Sequence, residues 1–518
     1  MRVQRSMLNF GTSVLFVAVT TAIALKSSPL LYEWLGKQRF GGAQIVFEGY
    51  GYLTILEFGL GGALGPLLAR ALQGGDHRAV ARTVAAGARA YVWVAFSMVA
   101  LGLAFTPFVH LLASDLTGAM VFDLRRAWIV GLVAFFSLVL APTRTLVDAR
   151  QSGYVINLLL TAQSVLVTSL SLLLAWADWG MTGQALARAV GVWAFALTMA
   201  AIAVRSHPGL IQATVFEPTD PGARRALWGL STPTLLFGIC GRIGFLTDNL
   251  VVGGILGTER VASLFNTQRL VTLGQSILGS IGNASWAPLA ELHGRGERDV
   301  FNRRLIEITR IVAVLGAVGF VPVIAFNRPF MKLLLGRTDF VYGGDLVVAV
   351  AALNAVLLAE HSLWAWCFTA TGKVRQLLPL SVAATVLNFA ASIMLTRRFG
   401  IVGPLLGTTV AFASVGLWLL VWRLNREFGT PVAALVLAVV VPTAVGASVA
   451  GVLWWLTLDH GPTSWPGVAA AMALAALGMA ALSWVALLTP RDRDLWKKRL
   501  LPLLDRFRPR NTPTGVGS

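Results

Sequence analysis

Fourteen long apolar runs constrain this chain more than any other feature, because about 20 apolar residues make one helical membrane crossing. They fall at about 7–31, 43–70, 85–113, 127–149, 154–177, 182–204, 226–256, 260–290, 306–335, 345–371, 376–397, 401–422, 432–457 and 465–489 of the 518 residues. Gln151 to Ala177, Phe399 to Trp422 and Phe428 to Leu458 carry no formal charge at all. Only 13% of residues are charged and the mean hydropathy is +0.72, where a soluble protein carries about a quarter charged residues. That leaves too little polar surface to cover soluble domains. It excludes a soluble enzyme, a disordered scaffold and a nucleic-acid-binding protein, despite 42 Lys and Arg against 24 Asp and Glu. The fold class is therefore an all-α polytopic membrane protein of about fourteen transmembrane helices.

The basic residues then predict orientation. With the N-terminus in the cytoplasm, the cytoplasmic flanks hold 28 of the 42, the outer flanks 11 and the helix interiors 3. Cationic flanks stay on the cytoplasmic side, so both ends are expected inside a bacterial inner membrane. Arg2 and Arg5, the uncharged run Ser6 to Leu25 and the Ala22-Ile23-Ala24 box have the form of a signal peptide. The repeat below instead requires this segment as a retained first helix. The tail carries eight cations among Leu495, Trp496, Leu500, Leu503, Leu504 and Phe507. It reads either as a disordered basic tail or as an amphipathic helix on the inner leaflet, kinked at Pro502. Cys240 and Cys367 both sit in apolar runs, which gives neither a disulfide framework nor a cysteine metal site.

Residues 35–76 align without gaps to 256–297, an offset of 221. Leu35/Leu256, Gly36/Gly257, Arg39/Arg260, Gly61/Gly282 and Gly75/Gly296 are identical under it. Pro107-Phe108 and Pro329-Phe330 continue the match one residue later, and Trp179-Gly180 answers Phe399-Gly400 near the ends. Six helices per half is an even number, so the halves share one orientation: a parallel repeat about an axis along the membrane normal, with a site expected at the interface. The divisions read as an N-lobe at 1–205, a cytoplasmic linker at 206–225, a C-lobe at 226–425, two additional helices at 426–490 and a basic tail at 491–518. The architecture is that of a two-lobed alternating-access transporter.

A charge at mid-membrane costs about 2.5–3.5 kcal/mol on insertion scales and so faces a cavity or a partner. Glu48, Glu57, Arg188, Arg242, Asp248, Arg269, Glu360 and His361 meet that description. Glu48 and Arg269 are repeat equivalents, each twelve residues past the matched glycine. They are expected to face a shared central cavity and to pair in one state of a transport cycle; snorkelling of Arg269 to the outer headgroups is the alternative. Glu57 is about 900° around the helix from Glu48 and points the other way. It reads as an ion-coupling candidate or as helix packing beside GLGGALG, a segment suited to close approach or a bend. Arg242 and Asn249 share a face, and Asp248 either binds a cation or proton or neutralises Arg242. Glu360 and His361 form a proton relay or two separate satisfied groups, pointing about 100° apart. No GxxxxGK[ST] stretch, His pair at metal spacing or long outer loop is present, so neither an ATP site nor a metal is expected and the chain does not read as an enzyme.

Leu35-Gly36, Phe40-Gly41 and the segment GYGYLTILEFGLGGALGPLLARAL resemble the start of Wzx-type O-antigen and exopolysaccharide flippases. Asp248 followed by Phe265-Asn266-x-x-Arg269-Leu270 is similar to the same family and to the lipid II flippases, within the multidrug/oligosaccharidyl-lipid/polysaccharide exporter superfamily. The resemblance implies export of undecaprenyl-diphosphate-linked oligosaccharides, driven by a proton or sodium gradient without a cofactor. It further implies a monomer working with a polysaccharide polymerase and chain-length proteins. It places Arg269 where lipid II flippases carry a cavity arginine for the diphosphate, with Arg242, Glu48 and Asn249 lining the substrate cavity and Asp248, Glu57, Glu360 and His361 as coupling candidates. Lipid II flippases also have arginines in helices 1 and 2; here helix 1 has none in its apolar run and helix 2 offers Glu48 and Glu57, which favours a Wzx-like role. The alternatives are a drug/cation antiporter of the same superfamily and a glycan polymerase or acyltransferase using His361.

Overall fold

A computed structural model describes residues 2–57, 59–74, 76–150, 152–207, 209–216, 247–336, 342–371, 373–458 and 460–494. Among them the chain is helical, with no strand. In chain order the helices are α1 (Arg2–Leu53), α2 (Leu60–Gln73), α3 (His77–Phe105), α4 (Ala119–Leu132), α5 (Ala141–Ala149), α6 (Gly153–Trp176), α7 (Gly180–Ser206), α8 (Leu210–Phe216) and α9 (Thr247–Leu256). Then come α10 (Thr258–Thr267), α11 (Arg269–Gly294), α12 (Arg298–Leu335), α13 (Asp345–Ala370), α14 (Leu378–Phe399), α15 (Gly403–Ala411), α16 (Leu417–Phe428), α17 (Val432–Thr457) and α18 (Trp465–Leu482). Ten stretches among the described residues are long and apolar enough to cross a membrane. Two of them, Gly11–Glu57 with 47 residues and Leu378–Phe428 with 51, each cover two of the expected runs. The protein is a multi-pass membrane protein.

One glycine pair matched by the 221-residue offset shares a backbone conformation. Gly36 sits at φ 75, ψ 167 and breaks α1 into two limbs. Its equivalent Gly257 sits at φ 91, ψ 168 between α9 and α10. An L side chain rarely adopts this left-handed region, so glycine at both positions is a conformational requirement. Gly41 serves a different end, since a Cβ there would overlap the backbone of Thr258. Helices in lipid gain little from hydrophobic segregation and rely on such close approaches.

The residues form two compact units. The first comprises Met1–Arg269, Met331–Val350 and Lys373–Leu417; the second comprises Leu270–Phe330, Ala351–Gly372 and Trp418–Ser518. In the first unit, α1 packs on α6 and α10, α7 on α6 and α4, and α14 on α15. Tyr32 and Phe40 of α1 meet edge to face, with Phe265 of α10 against Phe40. In the second unit, Ala317 and Val321 of α12 pack with Ala450 of α17 and Met479 of α18. The two helices outside the repeat are thereby seated on α12. Residues 217–246 and 495–518, which hold nearly half of the expected linker, Cys240, Arg242 and nearly all of the basic tail, lie outside the described residues.

Candidate functional site

Glu48 and Tyr52 stand one turn apart on the second limb of α1 and face the start of α9. The Asn249 side-chain amide donates to Glu48 Oε1, and the hydroxyls of Tyr52 and Thr247 lie 2.7 Å apart. Asp248 brings a second carboxylate within electrostatic range of both Glu48 and Tyr52. Glu48 Oε2, Asp248 Oδ1 and Asn249 Oδ1 are buried without a hydrogen-bond partner. No cation pairs with either carboxylate among the described residues. Two of the expected cavity residues, Glu48 and Asn249, are thus directly joined, and Asp248 belongs to the same cluster.

Next to Glu48, the ring of Phe47 lies under the Arg188 guanidinium, 4.6 Å from its carbon. Arg188 sits in the body of α7, yet its side chain is exposed. A guanidinium at this depth requires water, a headgroup or a ligand rather than hydrocarbon. Tyr50 turns the other way, its hydroxyl donating to the carbonyls of Ala127 and Trp128 at 2.7 and 2.9 Å.

Arg269 opens α11, directly after the break at Gln268 that ends α10. Its Nη2 donates to the carbonyl of Ala24 at 2.5 Å, and its Nη1 is buried with no partner. The acceptor lies on the first limb of α1. In this conformation the repeat-equivalent charges therefore take different partners: Glu48 has Asn249, and Arg269 has a backbone carbonyl. Arg242 lies outside the described residues.

Glu57 ends a 3-10 turn, Thr54–Glu57, that breaks helix 2 ahead of Gly59 at φ 66. It accepts a hydrogen bond from the Tyr91 hydroxyl of α3 at 2.6 Å. Glu48 and Glu57 so have separate neighbours, as their angular spacing requires. In the second unit Glu360 is fully buried on α13, with both carboxylate oxygens unpartnered. His361 beside it is half-buried. One turn on, Trp364 Nε1 donates to Thr309 Oγ1 at 3.0 Å. No group of three or more His, Cys, Asp or Glu able to hold a metal occurs among the described residues.

Two polar features went unread in the sequence. The Tyr52–Thr247 pair joins residues separated by 195 positions. Ser392 Oγ and Thr408 Oγ1 both donate to Asn388 Oδ1, at 2.9 and 3.3 Å, in the buried contact of α14 with α15. Asn388 and Ser392 stand at i, i+4 spacing in an apolar run, and that was the available signal.

No family model matches the chain, and no curated protein does. Solved structures do. The lipid II flippase MurJ in an inward closed conformation superposes with a TM-score of 0.65 at 12% identity, covering 94% of this chain and 99% of that one. An inward-facing multidrug resistance MATE transporter of the MOP superfamily gives 0.61 at 15% identity, covering 85% and 98%. An outward-facing one gives 0.57 at 15%, covering 86% and 96%. Identities this low establish the fold alone. The chain has the fold of MurJ and the MATE transporters.

Proposed function

We propose that this chain is a flippase that moves undecaprenyl-diphosphate-linked polysaccharide repeat units from the inner to the outer leaflet of a bacterial inner membrane, by ion-coupled alternating access. Arg269 carries the reading. Its guanidinium lies against Ala24 of the Gly11–Glu57 span, bonded to that backbone carbonyl and, among the described residues, to no carboxylate, with one amine left over. A buried cation without a counter-charge is costly, and a diphosphate oxygen supplies the missing charge in a geometry that guanidinium matches. The fold supports the same direction, since MurJ is by its name a flippase of a lipid-linked substrate. The resemblance of the helix-2 segment to Wzx-type flippases, and an apolar first helix without arginine, favour a polysaccharide unit over lipid II.

In this reading Glu48, Asn249 and Tyr52 offer hydrogen bonds to the glycan. Asp248, close to Glu48 and without a counter-cation among the described residues, takes the coupling proton or sodium ion. Arg188 is added to the cavity cations. Both termini are cytoplasmic, the chain does no covalent chemistry, and a polymerase with its chain-length partner receives the exported unit.

A second reading rests on the same cluster. Two neighbouring carboxylates without a cation among the described residues also suit an organic cation, which would make the protein a drug antiporter. The deciding experiment locates lipid-linked oligosaccharides across the inner membrane of cells lacking this gene. Full-length units held on the cytoplasmic leaflet, released by the wild type and not by Arg269→Ala, support the flippase. Single units on the outer leaflet without polymer point to a polymerase. Unaltered units, with an organic cation accumulating inside, point to the antiporter.

A further inference from the structure

The second unit carries a cleft that the transport reading does not use. The first turns of α12 and the chain beyond α18 line it with Arg303, Arg304, Glu307, Arg310, Arg491 and Asp492. Two of the arginines are neutralised: Arg304 pairs with Glu307 at 2.5 Å, and Arg310 with Asp492. Asp492 also accepts the N–H and hydroxyl of Thr489, at 3.1 and 2.6 Å, and is nearly buried, so it ties the end of the last span to α12. Arg303 and Arg491 are exposed and have no carboxylate partner among the described residues. Beside them, Arg493 Nε is buried with no hydrogen-bond partner.

The lining residues therefore sum to four cations against two anions, with the uncompensated pair on one concave surface. The cleft lies where Arg298 opens α12 and where the Trp465–Leu487 span ends, so a bilayer crossed by these two helices would meet it at its edge. Beyond it the last span exposes an apolar face, with Val485 at 69% exposure. Basic residues alone would suit any phosphate. Basic residues continuous with an apolar, membrane-facing helix suit a molecule carrying both phosphate and acyl chains.

We propose that this cleft binds a phosphate-bearing anion, the headgroup of an anionic phospholipid, whose chains run along the last span. Arg303 and Arg491 hold the phosphate, and the Arg310–Asp492 pair shapes the wall. The site does not depend on the flippase reading.

The test uses the full-length protein in detergent, with bound lipid counted by native mass spectrometry. Phosphatidylglycerol and phosphatidylcholine of the same acyl chains are offered in turn. Wild type is expected to retain phosphatidylglycerol about 25-fold better, since each of the two basic residues at an anionic surface is worth roughly fivefold. The double variant R303Q/R491Q is expected to lose that preference, and R303K/R491K to keep most of it. Both positions are exposed and unpaired, and an unchanged unfolding temperature verifies that the variants fold. Equal retention of phosphatidylglycerol by wild type and R303Q/R491Q overturns the proposal. Millimolar inorganic phosphate that displaces the lipid, and stabilises wild type but not R303Q/R491Q, would support the phosphate chemistry while overturning the lipid as its source.

Discussion

Asp115→Ala is expected to loosen the start of α10 by about 2–5 kcal/mol, a sum of two losses. Asp115 caps that helix from a distant loop. Its Oδ1 accepts the Thr258 N–H at 2.7 Å, and its Oδ2 accepts the Thr258 hydroxyl at 2.8 Å. Thr258 is fully buried, so no water replaces either bond. Removing a side-chain cap costs ~1–2 kcal/mol, and a buried hydroxyl left unpaired costs ~1–3 kcal/mol more. Asp115→Asn keeps one acceptor and is expected to lose about half as much. Equilibrium unfolding in mixed micelles, with a double-mutant cycle against Thr258→Ala, reads the effect. Residues in direct contact should show a coupling of about 1 kcal/mol or more. Additivity within ~0.5 kcal/mol would refute the capping argument, because it would mean that the two side chains act independently.

Gly131→Ala should cost ~1–3 kcal/mol from overpacking, because its Cβ would overlap the Tyr50 ring; wild-type yield and unfolding temperature in the variant would contradict the packing of α1 on α4. Tyr91→Phe removes the hydroxyl donor to Glu57 and should destabilise by ~1.5–3 kcal/mol, the range for bonds to charged groups, without changing the pH profile of transport; an altered profile would return Glu57 to the coupling candidates. Burial, then the nearby charge of Arg150 and then His77, hold the His207 imidazole below its usual 6.5. The unfolded chain therefore binds the proton more readily, so His207 contributes stability fully above pH 6.5 and loses it as pH falls below that. Unfolding of wild type and His207→Gln between pH 7.5 and 5 should converge on acidification, and parallel curves would exclude this role.

How much of this was legible follows from where each interaction lives. The helices were readable because the bilayer forces the backbone to close its own hydrogen bonds over runs of fixed length, and hydropathy reports those runs directly. The Gly36/Gly257 match was readable because both hold a positive-φ backbone, which ties residue type to conformation without reference to neighbours. Partners were not. Glu48 meets Asn249 across 201 positions and Arg269 meets Ala24 across 245, so each contact depends on how separate helices are laid together. Apolar surfaces in lipid are nearly interchangeable, and small residues such as Gly41 at its contact with Thr258 select the packing. That packing, with the break at Gln268, aims Arg269 at a backbone carbonyl and leaves one of its amines free. No local pattern encodes that outcome, since it depends on residues far apart in the chain.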